Sequence, residues 1–252
     1  SFSDGGRFSD LGQALDRARQ MLEEGAGIID IGGESTRPGA AEVSEADELH
    51  RVIPVIEALV GSRPECLISV DTSKAAVAEA ACAAGAGIIN DVTGLDGDAR
   101  MIEVAAETGA GVVIMHMQGS PRTMQQAPHY EDVVAEVRAY FERRFEAAVA
   151  GGISPEALVF DPGIGFGKTV EHNLALLRHL DRLSVAGRPL LLGVSRKSFI
   201  GKLVGSDRIE DRAWSTVALT SFARELGVRL HRVHDVKPNL EALRMTEAIL
   251  HA

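Results

Sequence analysis

The phrase EEGAGIIDIGG at residues 23–33 returns as AAGAGIINDVTG at 83–94 and as ETGAGVVIMHMQG at 107–119. Each copy closes a helical stretch with a glycine, runs through a short apolar segment and ends in polar residues. Glycine suits the left-handed residue that ends a helix, because it has no Cβ to clash there. Looser copies are PECLISVDTSK (64–74), PEALVFDPGIGFG (155–167), GRPLLLGVSRK (187–197) and GVRLHRVHDVK (227–237). Apolar runs without alternation fit parallel strands that are covered on both faces. Helical patterns lie between them. In 130–148, Tyr130, Val133, Val134, Val137, Phe141, Phe145 and Ala148 keep the spacing of a one-sided helix.

Strands are predicted to start near 28, 67, 87, 112, 157, 190 and 229. Strand and helix alternate along the whole chain, with no linker or low-complexity segment. This implies one parallel α/β domain over 1–252. A (β/α)8 barrel needs eight strands, and the pattern supplies seven. The chain opens on SFSDGGRFSDLGQAL, a loop running into a helix, which resembles the back half of a first βα unit. The expectation is a (β/α)8 TIM barrel whose first strand is missing from the N-terminus of this sequence. A doubly wound open sheet is the alternative.

Composition narrows the function. The formal net charge of −10 speaks against nucleic-acid binding, which needs a basic face. Any anion site must concentrate its positive charge locally. No apolar run reaches the roughly 18 residues of a membrane span, and SFSDGGRFSD is too polar for a signal peptide. Cys66 precedes a strand and Cys82 sits in a helix, so both read as packing residues. These features predict a cytoplasmic protein.

In a barrel, chemistry gathers at the C-terminal strand ends. Here those ends carry Asp30 and Glu34, then Asp71, Asn90 and Asp91, His116, Asp161, the trio Ser195, Arg196 and Lys197, and finally Arg232, His234 and Asp235. Asp30 and Glu34 also fit a role of holding loop amides. His116 reads as a satisfied core histidine, and Arg196 and Asp235 as an outward or structural pair. Asp71, Asn90 and Asp161 end buried runs, where an unpartnered polar group is costly. A ligand could partner them.

The stretch DPGIGFGKT (161–169) imitates a Walker A loop, G-x-x-x-x-G-K-[ST]. Pro162 stands where its first glycine belongs, so the glycines read as lining a pocket, with Lys168 as a loop or surface charge. Carboxylates and an amide, set against Arg37, Lys197, Arg232 and His234, suit a polar heterocycle that carries or meets a phosphate. A carboxylate accepts adjacent N–H bonds side by side.

GGESTRPGA, SVDTSK, IINDVTG, MHMQGSPRTMQ, DPGIGFGK, GVSRKSFIG and RVHDV occur in this order. Over essentially its whole length the chain resembles the bacterial dihydropteroate synthase family. The resemblance implies condensation of p-aminobenzoate with 6-hydroxymethyl-7,8-dihydropterin diphosphate, with Mg²⁺, in a homodimer. It implies a pterin held by Asp71, Asn90, Asp161 and Lys197, with Arg232 and His234 toward the diphosphate. It assigns Ser3, Asp4, Thr36, Arg37 and Pro38 to loops that close over the aminobenzoate beside Gly165, Phe166, Ser195 and Ser198. Asp4 and Arg37 pair as those loops order. The family's strand before SFSDGG, whose Asn serves the Mg²⁺–diphosphate site, is not in this sequence, and no metal ligand is assigned here. Three rivals share some features: a pterin-binding corrinoid methyltransferase, a non-catalytic pterin-binding fragment, and an aldolase using Lys197 as a Schiff-base lysine.

Overall fold

A computed structural model describes residues 11–36, 40–120 and 123–252. The expected site residues Ser3, Asp4, Arg37 and Pro38 lie outside them. Seven strands occur among the described residues: β1 Ile28–Gly32, β2 Leu67–Asp71, β3 Ile88–Asp91, β4 Gly111–Met115, β5 Leu158–Asp161, β6 Leu191–Leu192 and β7 Leu230–His231. Each begins within one residue of its predicted start. Helices alternate with them: α1 Leu11–Glu23, α2 Glu45–Ser62, α3 Ala75–Ala83, α4 Met101–Thr108, α5 Val133–Ala150, α6 Val170–Arg178, α7 Ser198–Val204, α8 Ala213–Glu225 and α9 Val236–Leu250.

The glycines of the repeated phrase do what the pattern requires. Gly25, Gly85 and Gly109, which end helical stretches, have φ of 99°, 113° and 64°. Helix α5 starts at Val133 rather than at 130, and Asp132 is the reason. Its Oδ1 accepts from the amides of Val134 and Ala135 at 3.0 and 3.1 Å, which caps the helix at that point. At α2, Ser44 accepts from the Asp47 amide, and Glu45, Asp47 and Glu48 load the first turn with negative charge, as the helix dipole favours.

The chain forms two compact units, Ser1–Met115 with Arg143–Val159, and His116–Glu142 with Phe160–Ala252. One sheet has the order β1-β2-β3-β4-β5, and β1 to β4 pair in parallel. Ile68, Val70, Ile89, Val112 and Ile114 are essentially without solvent contact. Strands β2 to β4 are buried at nearly every position, as continuous apolar runs require, whereas β1 alternates. In the second unit β6 pairs with β7 in parallel, and Phe160 bridges to Leu190 in the same sense. Phe160 and Phe141, both fully buried, stack there with centroids 4.7 Å apart.

His231 ends β7, and burial pulls its pKa from 6.5 to about 4. The folded protein therefore keeps this ring neutral where the unfolded chain would protonate it. Its contribution to stability is complete above pH 6.5 and is lost as pH falls through about 4. Denaturant melts across this range are expected to show a shallower loss of stability for His231→Phe than for the wild type. Equal slopes would remove His231 from the acid response.

Candidate active site

In the first unit, strand register brings polar ends together. Asp71 stands opposite Gly32 on one side and Asn90 on the other. A Cβ at Gly32 would lie 3.2 Å from the Asp71 Cβ, so the strands tolerate little bulk beside that carboxylate. Asn90 donates from Nδ2 to Asp30 Oδ2 at 3.4 Å, and its carbonyl accepts from the Thr72 amide at 3.1 Å. Asp71 and Asn90 are both buried. Asp91 is structural: it accepts from the Thr93 amide, the Thr93 hydroxyl and the Leu95 amide at 2.7–3.0 Å. Burial nevertheless pushes its carboxyl above the usual range.

Glu34 holds a loop amide, as the sequence allowed. It accepts from the Val43 amide at 3.1 Å. It also pairs with Lys74, which reaches the fully buried Glu48 at 2.6 Å. Burial alone would lower the Lys74 pKa, but the two carboxylates together raise it. Sequence reading missed this triad. Glu48 reads as one of the first-turn acids of α2 and Lys74 as an ordinary charge before α3.

The second unit builds its cluster around DPGIGFGKT. Asp161, at the end of β5, accepts from the Gly163 amide at 2.7 Å. The chain then makes a loop in which Gly163, Gly165 and Gly167 all have positive φ. At Gly167 the requirement is steric as well, since a Cβ would sit 2.5 Å from the Gln118 carbonyl. Each carbonyl from 163 to 167 accepts from a side chain. Lys168 serves Gly163 and Phe166 at 3.0 and 2.9 Å, and Lys197 serves Ile164. Gln125 serves Gly165 at 2.7 Å and Tyr130 serves Gly167 at 2.9 Å.

Lys168, read as a loop or surface charge, serves its loop and is not at the surface. The residue is 3% exposed, and its Nζ also contacts the His116 carbonyl and lies 3.0 Å from His116 Nδ1. A Walker lysine must reach a phosphate; this one is committed to its own loop. Thr169, the last position of the imitated motif, caps α6 in a reciprocal box with His172. His116 is a satisfied interior histidine, as expected, edge-on to Tyr140 at 4.9 Å.

Lys197 lies 4.5 Å from the Phe166 ring centroid, a cation–π contact. Burial of its amine draws its pKa down to about 8, with Asp161 opposing and Arg232 adding to the fall. The residue as a whole is part-buried, so this depression belongs to the amine's position. Burial pushes the Asp161 carboxyl up, against Lys197, the Gly163 amide, Arg232 and Lys168, which favour the anion. Lys168 falls to about 7, again through burial first and Lys197 second.

The ends of β6 and β7 are joined. His234 donates its amide to Ser195 Oγ at 3.2 Å, and its Nδ1 is 2.8 Å from the same oxygen. Between Ser195 and Lys197, Arg196 has φ 58° and pairs with Asp235 through two bonds of 3.0 and 2.6 Å. That is the structural pair the sequence suggested. Ser198 is the exposed first residue of α7, and Thr36 is part-buried after β1. The second unit thus joins Asp161, Gly165, Phe166, Lys197 and Arg232 through contacts and charge, and Ser195 with His234. The first unit joins Asp71 with Asn90.

A family model described as pterin binding enzyme matches residues 1–234. A dihydropteroate synthase of Escherichia coli K12 is 50% identical over 252 residues, covering 100% of this chain and 88% of that protein. The solved dihydropteroate synthase of Yersinia pestis with a sulfonamide drug complex matches at a TM-score of 0.96 and 48% identity, over 100% of this chain and 90% of the other. The Xanthomonas albilineans enzyme in complex with 7,8-dihydropteroate matches at 0.88 and 42% identity, over 99% and 88%. The fold class is the α/β barrel that the repeated unit implied. Matched along both of its units, the chain belongs to the pterin-binding enzyme family, among the dihydropteroate synthases.

Proposed function

We propose that the chain condenses p-aminobenzoate with 6-hydroxymethyl-7,8-dihydropterin diphosphate, yielding 7,8-dihydropteroate and diphosphate for folate synthesis. The observation that carries this reading is Asp161, a buried carboxylate with Lys197 and Arg232 beside it. A carboxylate so placed accepts the paired N–H edge of an amino-pyrimidinone, while cations beside it answer the phosphates. Of the further pterin ligands that the resemblance implies, Lys197 belongs to this cluster, and Asp71 and Asn90 to that of the first unit. Arg232 and His234 face the diphosphate. Thr36, Gly165, Phe166, Ser195 and Ser198 are assigned to the aminobenzoate side; Ser3, Asp4, Arg37 and Pro38, which the resemblance also assigns to it, lie outside the described residues.

The chemistry follows from charge. As the methylene C–O bond breaks, the electron-rich pterin spreads the cation left behind. Arg232 and His234 stabilise the charge growing on the departing diphosphate. The arylamine then attacks, and it loses its proton afterwards, so no strong base is needed. Closure over the site keeps water from capturing the cation. Among the described residues no cluster of three or more His, Cys, Asp or Glu side chains could hold a metal ion. Mg²⁺ typically takes much of its shell from phosphate oxygens and water. It is therefore proposed as an ion that arrives on the diphosphate, and no step is routed through it.

Residues 1–252 act as one domain, which the family match across both units supports. Among the described residues no helix is long and apolar enough to cross a membrane. Two free thiols suit a reducing cytoplasm. The net charge of −10 supports small-molecule substrates over nucleic acid. On α8 and α9, Trp214, Phe222, Met245 and Ile249 remain exposed, at 80%, 43%, 63% and 70%. That much uncovered apolar surface supports a homodimer. Sedimentation of the wild type is expected to give twice the monomer mass, and a monomer at all concentrations would refute it.

The decisive test is product detection from both substrates with Mg²⁺, with a sulfonamide competing against p-aminobenzoate. Pterin binding without turnover would reduce the protein to a binding module. Asp161→Asn replaces one acceptor with a donor and is expected to weaken pterin binding by about 1.5–3 kcal/mol, the range for hydrogen bonds to charged groups. Calorimetry on the folded variant checks this, and unchanged affinity would remove Asp161 from the site.

A further inference from the structure

Loops rich in glycine are entropically loose unless something fixes them. This one carries four glycine or proline residues from Pro162 to Gly167 and nonetheless has every carbonyl from 163 to 167 engaged by a side chain. Two of those donors, Lys168 and Tyr130, are buried and have no place in the reaction derived above. They grip the backbone on both sides of Phe166. Lys168 binds the carbonyls of Gly163 and Phe166, and Tyr130 that of Gly167. The grip is itself anchored. Lys168 rests on His116, and the Tyr130 ring packs edge-on against His172 at 4.9 Å, the residue that boxes the start of α6. Phe166 is thereby presented to the Lys197 ammonium at 4.5 Å.

We propose that Lys168 and Tyr130 are positioning residues of the reaction: by fixing the backbone at 163–167 they hold Phe166 in place and set the affinity for the aminobenzoate. This rests on the reading that Phe166 walls the aminobenzoate side. Neither residue touches a reacting atom. Loosening them leaves Asp161 with its bond to the Gly163 amide and with Lys197 and Arg232, the two stronger of the charges that act on it, so the pterin side is largely spared. The effect belongs to one substrate and not to both.

The test uses the full chain and two variants. Lys168→Met keeps length and removes the donors; Tyr130→Phe removes one hydroxyl. Folding is checked by circular dichroism and thermal melting. In Lys168→Met the KM for p-aminobenzoate is expected to rise about tenfold, the scale of a buried carbonyl losing its donor, with the KM for pterin diphosphate nearly unchanged. Amides 163–167 should exchange faster with deuterium. Tyr130→Phe should shift the same two readings in the same direction by less. The proposal is overturned if a folded Lys168→Met leaves the aminobenzoate KM unchanged, or raises both KM values together. If Lys168→Met does not fold, Tyr130→Phe decides: unaltered exchange or unaltered aminobenzoate KM overturns the proposal. Failure of the functional reading looks different, because the wild type itself would then make no dihydropteroate, while exchange at 163–167 would still report whether these side chains hold the loop.

Discussion

A carbonyl buried without a donor costs on the order of 1–3 kcal/mol, and the loop after β5 has five successive carbonyls to satisfy, those of Gly163 and Gly167 in buried surroundings. Parallel strands satisfy their own backbone, but the chain that leaves β5 must bend through three left-handed glycines and has no neighbouring strand to pair with. Side chains supply the missing donors. Two lysines, a glutamine and a tyrosine are committed to this task. The arrangement of Asp161, Phe166 and Lys197 depends on that solution, because Lys197 is at once a donor to the loop and the neighbour of both others.

The same groups explain how a chain of net charge −10 can receive a polyanion. Most of its described acids are at least part-exposed, where water screens them. Lys197 and Arg232 are gathered on one carboxylate, where burial reduces screening. The concentration has a cost: burial, with Arg232 adding to it, pulls Lys197 to about 8. Asp161 offsets part of that cost, and an incoming diphosphate would offset more.

How much of this the sequence disclosed depended on the range of the interaction. Strand starts were legible because apolar runs and closing glycines are local signals, and each fell within one residue of its place. The polar strand ends were legible for the same reason. Of the loop-or-surface reading of Lys168 the surface half failed, because its partners include His116, 52 positions away, and nothing local marks a loop lysine as buried. The Lys74 triad was invisible for a related cause. Its carboxylates come from Glu34 and Glu48, 40 and 26 positions off, and nothing local marks a first-turn glutamate of α2 as fully buried. Pairings over such distances follow from the fold and cannot precede it.

Arg196 shows how local strain serves the same end. A non-glycine residue with φ 58° is uncommon and costs on the order of 1 kcal/mol. It persists because four bonds hold it: its amide to Thr216, its carbonyl to Arg212, and its guanidinium twice to Asp235. The turn it makes separates its neighbours. Ser195 meets His234 at the end of β7, while Lys197 turns to the carbonyl of Ile164. A relaxed strand would carry residues 195 and 197 on the same side. The strained residue lets one short segment serve both the β7 end and the glycine loop, and that division puts a hydroxyl–imidazole pair and an ammonium two residues apart in the sequence under separate control.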